Sequence, residues 1–540
     1  VARLIIIGLD GAEPSLAFPW ARAGLLPNLQ WMIERGAWGD LRSTLHPLTP
    51  QAWTSLITGV NPGRHGIFDF GKRATGGYEV ELTTSADRAA PAFWQFAPEG
   101  ARLGVANVPL SWPPAPLPGF IVTGMHTPRI EQGVWPPEIL SDLGGDYPID
   151  VMAHWYDTPE EFLARVFAMH DAHHGAFLRL FDHQAPDLSL FVYVLADRLQ
   201  HALWREMTAE HRADPTAHDD LGGAIFAGYR ALDDALGAWR ERLEPDDHLL
   251  VVSDHGFGEL RRDVYLNRVL LDAGLLRFDP AKVRAFVPPA PPSDGDPRHS
   301  WMHRRLPAVE ELPANDELLA RGLCDPRRLT FATVDWRKTM AYSRGLFGNV
   351  WLNRAGREPD GIVIGHQITE VTAWVKEALL AVTDPDDGRP VVDAVVRKEE
   401  IYHGDCLPQA PDLLVIMRDY AYITRGATEF WGRQPVGPPA VNHSGNHRLH
   451  GVLLAAGPKI QPGEIAGANI MDVVPSAFHL LNWPVPNDLD GHVLTAMCAA
   501  DYRAVAFGPP APALVRDPRA YADAERGKVI ERLKALGYLG

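Results

Sequence analysis

Leu249-Leu250-Val251-Val252-Ser253-Asp254-His255-Gly256 decides how this chain is read. Four apolar residues predict a buried strand, and the strand ends in a carboxylate, an imidazole and a glycine. In an open α/β sheet, ligands sit just beyond the carboxyl ends of the strands, so polar groups planted there face a site instead of a core. Adjacent strand residues point to opposite faces, but where the chain turns at Gly256 both can be aimed at one centre. Asp and His are metal-ligand types. The same pair beside a glycine also makes an ordinary hydrogen-bonded turn, so the remainder of the chain has to decide.

Working outward, the same pattern recurs. Leu4-Ile5-Ile6-Ile7-Gly8-Leu9-Asp10-Gly11 is a second apolar run closed by an acid and a glycine, with a capped turn as its plain alternative. Asp187 to Leu195 reads as another strand, followed by Asp197 and His201. Their i, i+4 spacing puts both on one face if a helix begins there, which suits two ligands of one ion. Pro47-Leu48-Thr49-Pro50-Gln51-Ala52-Trp53 places a hydroxyl before a proline at a helix mouth, where Thr49 serves as the N-cap. The same position gives a hydroxyl positive potential favouring an alkoxide and an incoming phosphate. The last polar cluster, His443 to His450, precedes the strand Val452–Gly457. Arg64 and His65 are expected to face solvent or cap a helix, and His170, His173 and His174 to lie on a helix surface.

Composition bounds the partners. Lys plus Arg is 51 against 68 for Asp plus Glu, a formal net charge of −17 over 540 residues. No global positive field recruits nucleic acid as the main partner, and an anionic substrate needs local positive charge, which bound metal ions supply compactly. The three cysteines, Cys324, Cys406 and Cys498, lie far apart and form neither a disulfide framework nor a zinc finger. No uninterrupted apolar run approaches the roughly 18 residues needed to span a bilayer. With no leader-like segment before Leu4, a cytoplasmic location is the expectation. The Pro/Gly-rich text around 287–297 predicts an excursion from the core. The expected organisation is a catalytic core over 1–259 and 341–500, an inserted cap or lid over 260–340, and a tail over 501–540 whose Val529, Ile530, Leu533 and Leu536 form a docking stripe.

Taken in order, G-L-D-G at 8–11, T-P-Q-A-W-T-S-L-I-T-G at 49–59, N-P-G-R-H-G-I at 61–67, D-R-L-Q-H at 197–201, S-D-H-G at 253–256 and G-N-H at 445–447 resemble the type I phosphodiesterase/nucleotide pyrophosphatase branch of the alkaline phosphatase superfamily. The resemblance implies an α/β fold, an alkaline-phosphatase-like three-layer α/β/α sandwich with a mainly parallel central sheet and an inserted cap. It implies two divalent metal ions, zinc by donor type with manganese or iron as alternatives. One would be held by Asp197, His201 and His447, the other by Asp10, Asp254, His255 and the Thr49 hydroxyl. Thr49 would attack phosphorus to give a covalent phospho-threonine that is then hydrolysed. The implied function is metal-dependent hydrolysis of a small phosphorylated substrate, a phosphodiester or pyrophosphate-type bond. The alternatives are a phosphonate hydrolase or phosphomutase of the same superfamily, and a metal-loaded binding module without turnover.

Two departures bear on substrate. The family pattern places an asparagine a few residues after H-G-I, where this chain reads Phe68-Asp69-Phe70. Cys324-Asp325-Pro326-Arg327-Arg328 matches the C-x-P-x-R pattern of sulfatases, but it follows Asp254 in the chain, whereas in sulfatases the motif opens the helix where Thr49 stands here.

Overall fold

The computed structural model describes residues 2–74, 76–287, 301, 328–424, 430, 434–439, 443–514, 526–527 and 529–530. The apolar runs read from the sequence become neighbouring strands of one layer. His248–Val252, Leu4–Leu9, Leu188–Tyr193, Leu103–Val108 and Gly119–Thr123 lie side by side in that order, all parallel. The antiparallel strand His450–Ala456 lies beyond His248–Val252, and the short antiparallel Val134–Trp135 closes the other edge. Among the described residues the sheet has ten strands, including Ala37–Arg42 paired with His450–Ala456. Every residue of Leu4–Leu9 and of Leu188–Tyr193 is buried. Such uniform apolar text is what a parallel strand covered on both faces requires.

The two covering layers can be told apart from single contacts. Phe191 stacks on Trp239 of the helix Ala224–Arg240 with ring centroids 4.7 Å apart, and lies 5.3 Å from Phe177 of the helix Pro159–Gln184. Its neighbour Val192, in register with Gly8, faces the opposite way, toward Trp53 of the helix Thr49–Thr58. A Cβ on Gly8 would stand 2.4 Å from the Trp53 ring, so only glycine lets that indole lie against the strand. The fold is therefore an α/β/α sandwich with a mainly parallel sheet.

His170, His173 and His174 of Pro159–Gln184 turn toward this core. His170 and His173 are buried, not on the helix surface; the His173 ring bonds the Pro148 carbonyl at 2.7 Å, and His174 meets the Tyr193 hydroxyl at 2.9 Å. Polar partners explain why the His173 and His174 imidazoles are tolerated there. His65 is likewise buried, bonded to Ser55 at 2.8 Å, while Arg64 reaches Asp488 and Asp490.

After Val252 the chain rejoins the central layer only at His450. The strand Ala341–Arg344, expected there, pairs instead with Asn349–Leu352, which pairs with Leu413–Met417 and through it with Val392–Arg397, all antiparallel. These strands share an apolar cluster, separate from the main one, that runs from Val264 to Val436. A strand buried on one cluster reads the same in sequence as a strand buried on another, so local text could not assign the layer. The segment has its entry and exit joined: Gly256–Glu259 pairs antiparallel with Gly445–Arg448. Most of the Pro-rich stretch and all of Cys324–Arg327 lie outside the described residues, as do Leu533 and Leu536 of the docking stripe. Val529 is buried in a small cluster with Leu45, Met125 and Phe347. Among the described residues no helix is long and apolar enough to cross a membrane.

Asp69, the departure noted above, faces this second unit. It accepts from the Phe70 amide at 2.6 Å and from Asn349 Nδ2 at 3.2 Å. Burial pushes its carboxyl up to about 7. Because the folded form holds a proton that the unfolded chain releases near the ordinary value of 3.8, stability falls as pH rises from about 4 through 7. Asp69→Asn is expected to remove that loss, on the order of 2 kcal/mol or more in favour of the variant at pH 8 and little at pH 4.5. Thermal melts at the two pH values check this; an equal difference at both would count against it.

Candidate metal centre

Asp10 sits at the carboxyl end of Leu4–Leu9, and Asp254 and His255 follow His248–Val252, so adjacent parallel strands deliver three polar groups to one edge. Asp10 Oδ2 accepts from Trp53 Nε1 at 3.0 Å, and Asp254 Oδ1 from the Gly11 amide at 3.3 Å. Each carboxylate is thereby fixed by one oxygen. The other oxygens, Asp10 Oδ1 and Asp254 Oδ2, are buried without a hydrogen-bond partner and lie 3.7 and 3.3 Å from His255 Nε2.

The second group comes from a helix and the returning ladder. Asp197 and His201 lie on the helix Leu195–Leu203, which does begin after the strand, and His447 lies in Gly445–Arg448. Asp197 Oδ1, also buried and unpartnered, is 3.4 Å from His201 Nε2 and 3.6 Å from His447 Nε2. The two imidazole Nε2 atoms stand 3.0 Å apart. A Cβ on Gly445 would meet the Gln200 carbonyl at 2.3 Å, so glycine permits the ladder to lie against this helix. Of the three histidines in the last cluster, His447 is the one opposite Phe257 in register, and its ring stacks on His255 with centroids 3.5 Å apart. His450 is exposed, and the His443 ring lies 5.3 Å from that of His201.

The tautomers are set by the backbone. Nδ1 of His201 donates to the Gly445 carbonyl, Nδ1 of His255 to that of Gly256 and Nδ1 of His447 to that of Pro47, at 3.2, 3.1 and 2.8 Å. With Nδ1 carrying the proton, each Nε2 presents a lone pair inward, the arrangement by which outer hydrogen bonds orient metal-ligating imidazoles. Three lone pairs converging on three unpartnered carboxylate oxygens leave a buried centre that is all acceptor. Divalent metal fits this donor set: Asp10, Asp254 and His255, and likewise Asp197, His255 and His447, offer ligand atoms within 4.8 Å of one another.

Electrostatics describe the same strain. Burial, then the neighbouring Asp197, pushes the Asp10 carboxyl up to about 8, and burial with Asp10 and Asp197 holds Asp254 well above the ordinary range. Burial would raise Asp197 too, but His201 and Arg198 keep it well below. Burial and the facing His447 hold His255 well below an ordinary imidazole.

Thr49 opens the helix Thr49–Thr58, with Leu48 and not Thr49 at the cap position. Pro50 in the first turn and the left-handed Gly59 at the far end delimit the helix. Freed from capping, the Thr49 hydroxyl lies 3.3 Å from His255 Nε2. All the site residues expected from the sequence thus converge on one buried centre.

Other supports were not expected. Arg198 makes a two-pronged pair with Asp150, both contacts 2.9 Å, and its third nitrogen meets Asp197 Oδ2. Glu13 Oε2 accepts from the Phe257 amide at 2.7 Å, tying the first strand's loop to the ladder. Arg198 stands beside a recognised acid and had that much signal; Asp150 and Glu13 had none, since tertiary pairing alone defines them.

No curated protein matches the chain in sequence. Among solved structures, phosphonoacetate hydrolase from Sinorhizobium meliloti 1021 in complex with phosphonoformate is similar in fold, with a TM-score of 0.54 and 16% identity over 89% of this chain and 95% of that one. The same enzyme with phosphonoacetate gives 0.52 at the same identity and coverage. Murine ectonucleotide pyrophosphatase/phosphodiesterase 5 gives 0.47 at 13% identity, over 92% of this chain and 100% of that one. The family model described as type I phosphodiesterase/nucleotide pyrophosphatase matches residues 4–451, from the first strand through the ladder that carries His447. The chain belongs to that family.

Proposed function

We propose that this protein hydrolyses phosphate esters of the diester or pyrophosphate type, with Thr49 as nucleophile and two divalent cations, zinc by donor chemistry, held by Asp10, Asp254, His255 and Thr49 and by Asp197, His201 and His447. The observation that carries the reading is the set of three buried, unpartnered carboxylate oxygens facing three imidazole nitrogens, with the Thr49 hydroxyl 3.3 Å from His255 Nε2. Bound divalent cations would lower the pKa of the hydroxyl, neutralise phosphoryl oxygens and stabilise the departing oxygen. The chain's own contribution is placement. The start of the helix Thr49–Thr58 gives the phosphoryl group positive potential. Attack of Thr49 Oγ1 on phosphorus forms one P–O bond as the bond to the leaving oxygen breaks; the hydroxyl proton passes to solvent water, and the departing oxygen takes up a proton from solvent. Hydrolysis of the phospho-threonine then restores Thr49. The partner is a small phosphorylated molecule, and the unit spanning 262–437 is the part of the chain that would select it.

The test is a panel: full-length protein loaded with zinc or manganese, given bis-p-nitrophenyl phosphate, p-nitrophenyl phosphate, a phosphonate monoester and an aryl sulfate. The diester is expected to turn over fastest. Preference for the phosphonate ester would transfer the reading to a phosphonate hydrolase, and no turnover of any ester by metal-loaded protein would sink it in favour of a binding module.

A further inference from the structure

Between the helices Leu195–Leu203 and Ala224–Arg240 the chain makes a short excursion that the catalytic reading does not use. There His211, His218 and Asp220 bring one ligand atom each within 4.8 Å of one another. His211 Nε2 stands 3.0 Å from Asp220 Oδ1, and the His211 and His218 rings lie 4.1 Å apart at 34°. Donors on a tetrahedral zinc with bonds of about 2.0–2.1 Å are separated by about 3.3 Å, so the His211 and Asp220 atoms already lie near that spacing.

Two further features hold the ligands in place. His211 Nδ1 is 2.7 Å from Thr208 Oγ1 and accepts from the Thr208 amide at 3.3 Å, which tethers the ring from its far side to the start of the helix Ala209–Ala213; zinc on Nε2 requires Nδ1 to take the proton and donate it to Thr208 Oγ1. Asp220 Oδ1 accepts from the Gly222 and Gly223 amides at 3.1 and 3.2 Å. A Cβ on Gly222 would meet His211 Nε2 at 2.2 Å, so the turn is shaped around that imidazole. The simple alternative, a His211–Asp220 hydrogen bond that braces the turn with His218 packed on the His211 ring, uses the nitrogen of one imidazole only, whereas a cation uses both. Two imidazoles and a carboxylate, with one position open to water, form the donor set of a borderline divalent cation.

We propose that His211, His218 and Asp220 form a peripheral zinc site, outside the buried centre, which pins the 208–223 segment between the helix that carries Asp197 and His201 and the helix Ala224–Arg240. The segment already leans on the core through Arg212, which lies over the Trp204 ring and accepts from Trp20 Nε1 at its carbonyl. A cation there closes it on its outer side.

The test counts zinc. Full-length wild type, His218→Ala and Asp220→Asn would be saturated with zinc chloride, passed through gel filtration and analysed by inductively coupled plasma mass spectrometry. Asp220→Asn keeps an oxygen for the Gly222 and Gly223 amides, so it separates loss of a ligand from loss of the turn. Each variant is expected to carry one ion per chain fewer than wild type, to gain less in Tm on zinc addition, and to keep diester turnover within about twofold. The Asp254→Asn chain should retain this ion, so failure here and failure of the buried-centre reading show separately. Equal zinc content and an equal zinc-dependent Tm gain in wild type and both variants would overturn the proposal.

Discussion

Thr49→Ala is expected to abolish diester turnover, with kcat falling on the order of 10⁴-fold or more, while zinc content and the far-ultraviolet spectrum stay at wild-type values. The size follows from the role: removing a nucleophile leaves only the binding and electrostatic part of the rate enhancement. Retention of metal follows from the geometry, because the carboxylates and imidazoles are fixed by Trp53, by the Gly11 amide and by backbone carbonyls, none of which involves the Thr49 hydroxyl. Helix stability should change little, since Leu48 occupies the cap position and the hydroxyl makes no capping bond. Rapid acid quenching of wild type during turnover, followed by peptide mass spectrometry, should find phosphate on Thr49. A variant that keeps more than about a tenth of the wild-type rate would remove the nucleophile assignment.

Asp254→Asn should separate function from stability in opposite directions. Asp254 is fully buried, shares its pocket with Asp10 and Asp197, and has its carboxyl held well above the ordinary range by burial and by those two neighbours. The amide keeps the shape and can still accept from the Gly11 amide, but carries no charge. Without metal, the variant should be more stable than wild type at pH 8, on the order of 1–3 kcal/mol, because one buried carboxylate is gone from a cluster of three. The sign can be stated from linkage: a carboxyl with a raised folded-state value contributes stability at low pH that is lost as pH rises toward that value, and the variant does not suffer the loss. With zinc, the order should reverse. The variant should lose the part of the zinc-dependent gain in Tm that the buried centre supplies, and its turnover should fall by about 10³-fold or more. Melting curves with chelator and with zinc, at pH 5 and pH 8, provide both comparisons. A metal-free variant less stable than wild type at pH 8 would mean that the Asp254 carboxylate is not the liability described.

Much of this centre was legible because its residues stand where local text changes character. Asp10 and Asp254-His255 end apolar runs, and Asp197 and His201 carry helical spacing next to a strand. What local text could not supply was pairing. In the sequence, G-N-H at 445–447 singles out His447 from His443 and His450, whereas the physical reason is a register that sets His447 against Phe257 and stacks it on His255. The burial of His65 and His173 escaped for the same cause, since each depends on a polar partner beyond its own turn, Ser55 and the Pro148 carbonyl. Thr49 was read as a cap because Thr before Pro fits that position; the structure starts the helix at Thr49 itself, which releases the hydroxyl. The boundary near 340 misled because apolar strands look alike whichever core they serve.

The ladder of Gly256–Glu259 with Gly445–Arg448 has a consequence for how such chains diversify. Both ends of a unit of well over a hundred residues leave the body through one hydrogen-bonded doorway, so the entropic cost of joining those ends is met by the ladder whatever lies between them. Length and shape beyond the doorway can change while His255 and His447, which flank and form it, keep their mutual position. On the proposed function, the ladder divides a fixed reaction head from an exchangeable front piece, and transplanting that piece between relatives at these four-residue strands is expected to change which substrate is taken.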